Sequence, residues 1–155
     1  EHIDSFHTNA LKKDDLKKEW ITTAFEDRKN YLSEEEKTTI ESKMENKDYD
    51  SVIDILKKNA GETEVDEDIK NGIGNLTLLD SETNRSYGNS LFCTKRRIII
   101  DRIKQGVFVP VATQYIFSKF YDEKGTNRSV WTREDMEAYQ KYIVKMLSEY
   151  LPENN

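Results

Sequence analysis

The sequence predicts a mostly helical α+β domain. Its 155 residues fit one domain of ordinary size. Apolar residues recur at i, i+3 and i+4 through several charged stretches, which is helical spacing. One stretch breaks that character. Residues Asn71 to Phe92 are rich in turn-forming side chains and hold a short apolar run, "LTLL", of the strand type.

Taken in order, Asp14 to Arg28 reads as a helix, with Leu16, Trp20 and Ala24 forming one apolar stripe. Ser33 with Glu36 makes a capping box, in which each side chain satisfies the other's free backbone amide, and starts a polar helix to about Glu45. Asp50 is expected to cap the short helix "SVIDILKK", which stops near Asn59 to Gly61. "GETEVDED" reads as an acidic turn. After the "LTLL" strand, Asp80 or Ser81 caps a short helix that Gly88 breaks. Leu91 to Lys104 resumes the helix with Ile99 and Ile103 facing inward, and Gly106 ends it. Pro110 sits near the first turn of the next helix, where its missing N–H costs little, and that helix runs to about Tyr121. Thr132 with Asp135 caps the last helix, whose Met136, Tyr139, Tyr142, Ile143, Met146, Leu147 and Tyr150 face the core.

Composition narrows the function classes. A single cysteine, Cys93, excludes an intramolecular disulfide and a cysteine-built zinc site, and reads as a small buried residue in a reducing, cytoplasmic setting. No apolar run approaches the ~20 residues that span a bilayer. The chain opens on Glu rather than Met, as expected of a piece of a longer protein. The net charge is −6, unlike that of a general nucleic-acid binder, but the charge is unevenly placed. Ala10 to Lys70 carries 12 basic and 18 acidic side chains, whereas Arg85 to Gln105 carries six basic and one acidic. The second stretch has the polarity that a phosphate-binding surface needs.

The chemistry-bearing residues lie at the start and around the asparagines. "EHI" at Glu1 to Ile3 holds one of the two histidines, and Asn75, Asn84 and Asn89 cluster later. Phosphodiester hydrolysis needs an activated water, charge neutralisation on the phosphate and help for the leaving oxygen. A neutral imidazole takes a water's proton near pH 7. A magnesium-type ion prefers oxygen ligands and keeps several waters, so one carboxylate and one carboxamide oxygen suffice.

"EHI", then "IGNLTLL", then an asparagine nine residues after Asn75 resembles the HNH, or His-Me finger, nucleases. The longer strings "NRSYGNSLFCTKRR" and "VFVPVATQYIFSKFY…WTREDMEAYQKYI" resemble more narrowly the C-terminal nuclease domain of GmrSD-type, modification-dependent restriction enzymes. The resemblance covers residues 1–9 and 71–147, with a family-variable helical insertion between. It implies a ββα-metal core and a divalent cation, Mg²⁺ or Mn²⁺. His2 then matches the general base and Glu1 a metal ligand. Asn75 matches the middle asparagine that orients the base or steadies the hairpin, and Asn84 matches the last catalytic and metal-ligating position. Arg85, Asn89, Lys95, Arg96 and Arg97 match the surface that would hold the nucleic-acid backbone.

The expected organisation is one nuclease domain over residues 1–155, with the insertion at 10–70, the ββα-metal core and basic helix at 71–105 and C-terminal helices at 107–151. The resemblance further implies DNA as substrate, a defence role against foreign and modified DNA, and a separate N-terminal nucleotide-hydrolysing domain in the same protein. The alternative is a non-catalytic nucleic-acid or protein-binding module on the same scaffold, or a helical interaction domain that binds a partner through the acidic insertion.

Overall fold

A computed structural model describes residues 1–4, 11–62, 65–83, 88–120 and 129–150. His7, Asn84 and Arg85 lie outside the described residues. The helices are α1 (Asp14–Arg28), α2 (Glu34–Glu45), α3 (Tyr49–Asn59), α4 (Glu67–Lys70), α5 (Phe92–Lys104), α6 (Val111–Ser118) and α7 (Arg133–Met146). Short 3₁₀ turns occupy Ile73–Asn75 and Ser148–Tyr150.

Local signals place most of these ends. Ser33 and Glu36 form the reciprocal capping box of α2, and Thr132 and Asp135 form that of α7. Helix α3 starts two residues earlier than its apolar pattern suggests, because Asp48 rather than Asp50 accepts from the Ser51 amide. The Asp80 carboxylate accepts from the amides of Glu82 and Thr83 at 3.0 and 2.9 Å, capping the turn at 81–83. Helix α6 ends at Ser118, where Lys119 adopts a left-handed φ of 51°.

Two apolar cores result. Trp20, Ile21, Ala24, Ile40, Val52 and Leu56 pack α1, α2 and α3 together, and Leu91 joins them. The second core contains Ile3, Phe92, Ile99, Ile116, Phe117, Trp131, Met136 and Tyr139. The stripe of α7 leaves this core after Ile143, and Met146, Leu147 and Tyr150 are exposed. Ile103 is likewise exposed rather than inward-facing.

The α+β expectation, with its ββα-metal core, is corrected by this structure. Among the described residues there is no strand, only an isolated antiparallel bridge between His2 and Leu76. The cause lies before and within "LTLL". Before it, the chain enters through the 3₁₀ turn Ile73–Asn75 instead of an extended segment. Within it, α6 takes the Leu78 carbonyl, which a partner strand would otherwise use, while the Thr77 main chain meets only the short segment at Glu1. The Thr113 hydroxyl donates to the Leu78 carbonyl at 2.6 Å and lies 2.9 Å from the Thr77 hydroxyl. The apolar run is therefore laid on a helix, not paired into a sheet.

One glycine sets the depth of this region. A Cβ on Gly74 would stand 2.1 Å from the Met136 carbonyl oxygen, so only glycine lets the 3₁₀ turn rest against the α7 backbone.

Candidate active site at the N-terminal segment

The first four residues are fixed by a chain segment more than 70 positions away. The Ile3 amide donates to the Asn75 carbonyl at 2.8 Å, and the Thr77 amide donates to the Glu1 carbonyl at 2.8 Å. The Glu1 amino group donates to the Thr77 carbonyl at 2.9 Å. Ile3 is fully buried in the second core, which contributes about 2 kcal/mol toward holding the segment.

Asn75 completes the attachment. Its carboxamide oxygen accepts from the Asp4 amide at 2.9 Å, and its nitrogen donates to the carbonyls of Asp4 at 3.0 Å and Lys70 at 2.9 Å. The side chain is fully buried and its bonds go to main-chain atoms. In this arrangement its hydrogen bonds pin the backbone beside His2.

Lys95 lies under the same segment. It is fully buried on α5, and its ammonium donates to the carbonyls of His2 at 3.2 Å and Ile3 at 3.0 Å. Burial, opposed by the charges of Asp4, Glu1 and Glu62, pulls its pKa down to about 8. Asp4 is buried too, and burial raises its carboxyl against the opposing pull of Lys95, Lys70, Lys57 and His2. Glu62, just past α3, is pushed up to about 8, first by burial and then by the negative charge of Asp4. A compact group of acids and lysines thus sits beneath the histidine.

The His2 ring is half-buried, and its Nε2 lies 3.2 Å from Asn71 Oδ1. The structure brings together His2, Asn71, Asp4, Asn75 and Lys95, with the exposed Glu1 at the edge acting electrostatically on Lys95. The other predicted residues stand elsewhere. Arg96 donates to the Phe117 carbonyl at 2.8 Å, and Arg97 pairs with Asp27 at 2.7 Å. Arg102 pairs with Glu82 at 3.2 Å and Lys104 with Asp101 at 3.8 Å, so the described cations of the basic stretch all have partners within the chain. Asn89 is half-buried, and its carbonyl accepts from the Trp20 indole at 3.0 Å. Cys93 is half-buried, with its thiol raised by burial.

Three participants escape a reading by motif. Asp4 stands two places after His2 in "EHID", a spacing that shares a face on extended chain. Glu62 lies in what reads as a solvated acidic turn. Asn71 looks like a turn residue in "NGIGN". The spacing of Asp4 was available as a signal; nothing local distinguishes the other two.

Residues 9–146 match the family described as the C-terminal domain of GmrSD restriction endonucleases. The chain belongs to that family. It is accordingly a domain of a restriction endonuclease, a nuclease class of enzyme. The matched range runs through the helical segment 10–70 and begins after His2. No curated protein and no solved structure matches the chain. Among the described residues no helix is long and apolar enough to cross a membrane.

Among the described residues no three His, Cys, Asp or Glu side chains group closely enough to form a metal site. Glu1 offers one exposed carboxylate, and Asn84 lies outside the described residues. One carboxylate with one carboxamide oxygen is a donor set that a largely hydrated magnesium-type ion accepts.

Proposed function

We propose that this domain hydrolyses phosphodiester bonds in DNA as the cutting part of a restriction system directed at foreign DNA. His2 is the general base that takes a proton from the attacking water. Glu1 and Asn84 would hold a divalent cation, Mg²⁺ or Mn²⁺. When bound, such an ion supplies charge neutralisation on a phosphate oxygen and on the leaving oxygen. Asn75 and Lys95 keep the His2 backbone in place from either side. Arg97, with Arg85, Arg96 and Asn89, would face the nucleic-acid backbone, whereas Lys95 acts from beneath the segment. A nucleotide-hydrolysing domain would lie N-terminal to this one in the same protein.

The observation that carries this reading is the fixing of the backbone that bears a half-exposed imidazole: a buried asparagine and a buried lysine, both remote in sequence, hold it, and the adjacent Ile3 anchors it in the core. A solvated terminal histidine would need none of them. The test is plasmid nicking with Mg²⁺ or Mn²⁺. His2→Ala should abolish nicking while leaving the circular-dichroism spectrum unchanged. Equal nicking by the wild type and His2→Ala would remove this site from the chemistry.

A further inference from the structure

The two amide side chains beside His2 divide their work. Asn75 spends its carboxamide on the main chain of Asp4 and Lys70, which fixes where the histidine begins but not how its ring is turned. Asn71 meets the ring itself, with its Oδ1 at 3.2 Å from Nε2. We propose that Asn71 is a positioning residue that holds the His2 imidazole in one orientation and one tautomer, with the proton on Nε2 and the lone pair on Nδ1. This deepens the general-base reading of His2 and rests on it.

The chemistry follows from the partners. A carboxamide oxygen only accepts hydrogen bonds, so the nitrogen facing it must donate. In the neutral ring the remaining nitrogen then carries the lone pair, and a base needs that lone pair. A ring free to exchange tautomers would present the wrong nitrogen to water for part of the time.

The geometry around Asn71 is rigid enough for this task. Asn71 closes α4, and its own amide reaches the carbonyls of Glu67 and Ile69. The Gly72 amide donates to Ile69, and a Cβ at Gly72 would stand 3.1 Å from the Ile69 oxygen and 3.2 Å from the Asp68 oxygen. Three residues later, Asn75 anchors Asp4 and returns a bond to Lys70 on α4. One short unit, Glu67 to Asn75, therefore holds the segment by its backbone and the histidine by its ring.

The experiment has two independent readouts on the intact chain. The first is the ¹⁵N chemical shifts of the His2 imidazole at alkaline pH, assigned with a His7→Gln variant. The wild type should show the Nε2-protonated pattern, and Asn71→Ala should shift toward a mixture of tautomers. The second is nicking kinetics. General-base catalysis typically contributes ~10²–10⁴-fold, so Asn71→Ala should lower kcat by about tenfold or more with KM within about twofold. Asn71→Asp retains an acceptor oxygen and should restore the tautomer pattern and most of kcat. An Nδ1-protonated wild type, or an Asn71→Ala variant with unchanged shifts and unchanged kcat, would overturn the proposal. If His2→Ala nicks as well as the wild type, the catalytic reading fails, and the ¹⁵N result still decides whether Asn71 sets the tautomer.

Discussion

Replacing Lys95 with methionine separates a buried clamp from a surface phosphate contact. Methionine keeps much of the length and apolar volume of the stem and removes the ammonium. Lost with it are two charge-assisted hydrogen bonds, to His2 O at 3.2 Å and Ile3 O at 3.0 Å, and the positive charge facing Asp4 and Glu62. A hydrogen bond to a charged group contributes ~1.5–3 kcal/mol, so the two together contribute about 3–6 kcal/mol. Relief of the cost of burying the ammonium offsets part of this, so a net loss of about 3–4 kcal/mol is expected. For a domain of this size a loss of 1 kcal/mol lowers Tm by ~2–4 °C, which gives about 10 °C here. The assay is thermal unfolding at pH 7 followed by circular dichroism. Adding Asp4→Asn to Lys95→Met should recover part of the loss, because the buried Asp4 carboxyl is then no longer there to miss the opposing charge of Lys95. A Tm within about 2 °C of the wild type, together with weaker and less salt-dependent DNA binding, would refute the clamp and return Lys95 to the surface.

Two further outcomes follow from the same cluster. Glu62 keeps its proton in the folded chain up to about 8, whereas the unfolded carboxyl loses it near 4.5, so its contribution to stability drains as pH rises between those values; Asp4 acts in the same direction. Lys95 loses its proton near 8 in the folded chain and near 10.5 when unfolded, so its contribution rises over that range. Urea midpoints measured across pH 5 to 10 should therefore pass through a minimum near pH 8. Glu62→Gln should flatten the acid arm and Lys95→Met the alkaline arm, and a monotonic wild-type curve would contradict the assignment. Asn75→Ala leaves the Asp4 amide, the Asp4 carbonyl and the Lys70 carbonyl without their partner, at a cost of about 3–4 kcal/mol. Amide exchange should show Asp4 opening well before α3 in that variant; unchanged protection at Asp4 would deny Asn75 its anchoring role.

The helices were legible because their signals are local. Ser33 with Glu36 and Thr132 with Asp135 make their caps within one turn, and no distant contact is needed to recognise them. The sheet was misread for the opposite reason. "LTLL" has strand composition, but Thr113, 35 residues beyond Leu78, claims the Leu78 carbonyl, and only the short segment at Glu1 pairs with Thr77. "KRR" at Lys95 to Arg97 reads as one basic surface, yet consecutive helical residues point about 100° apart. Lys95 consequently faces the interior, Arg96 reaches the Phe117 carbonyl and Arg97 reaches Asp27. At the candidate site, the motif indicated His2 and Asn75. Asn71 and Glu62 became visible only once the chain had folded them against the first four residues.

Leu91 and Phe92 are neighbours in sequence but belong to different cores, Leu91 to the one built by α1–α3 and Phe92 to the one that holds Ile3. That junction works as a rivet. Whatever the outward charges of residues 10–70, the core they build must offer a socket for the side chain at position 91. A transplant of that region that lacked the socket would loosen the first turn of α5 and, within it, the lysine on which the histidine's backbone rests.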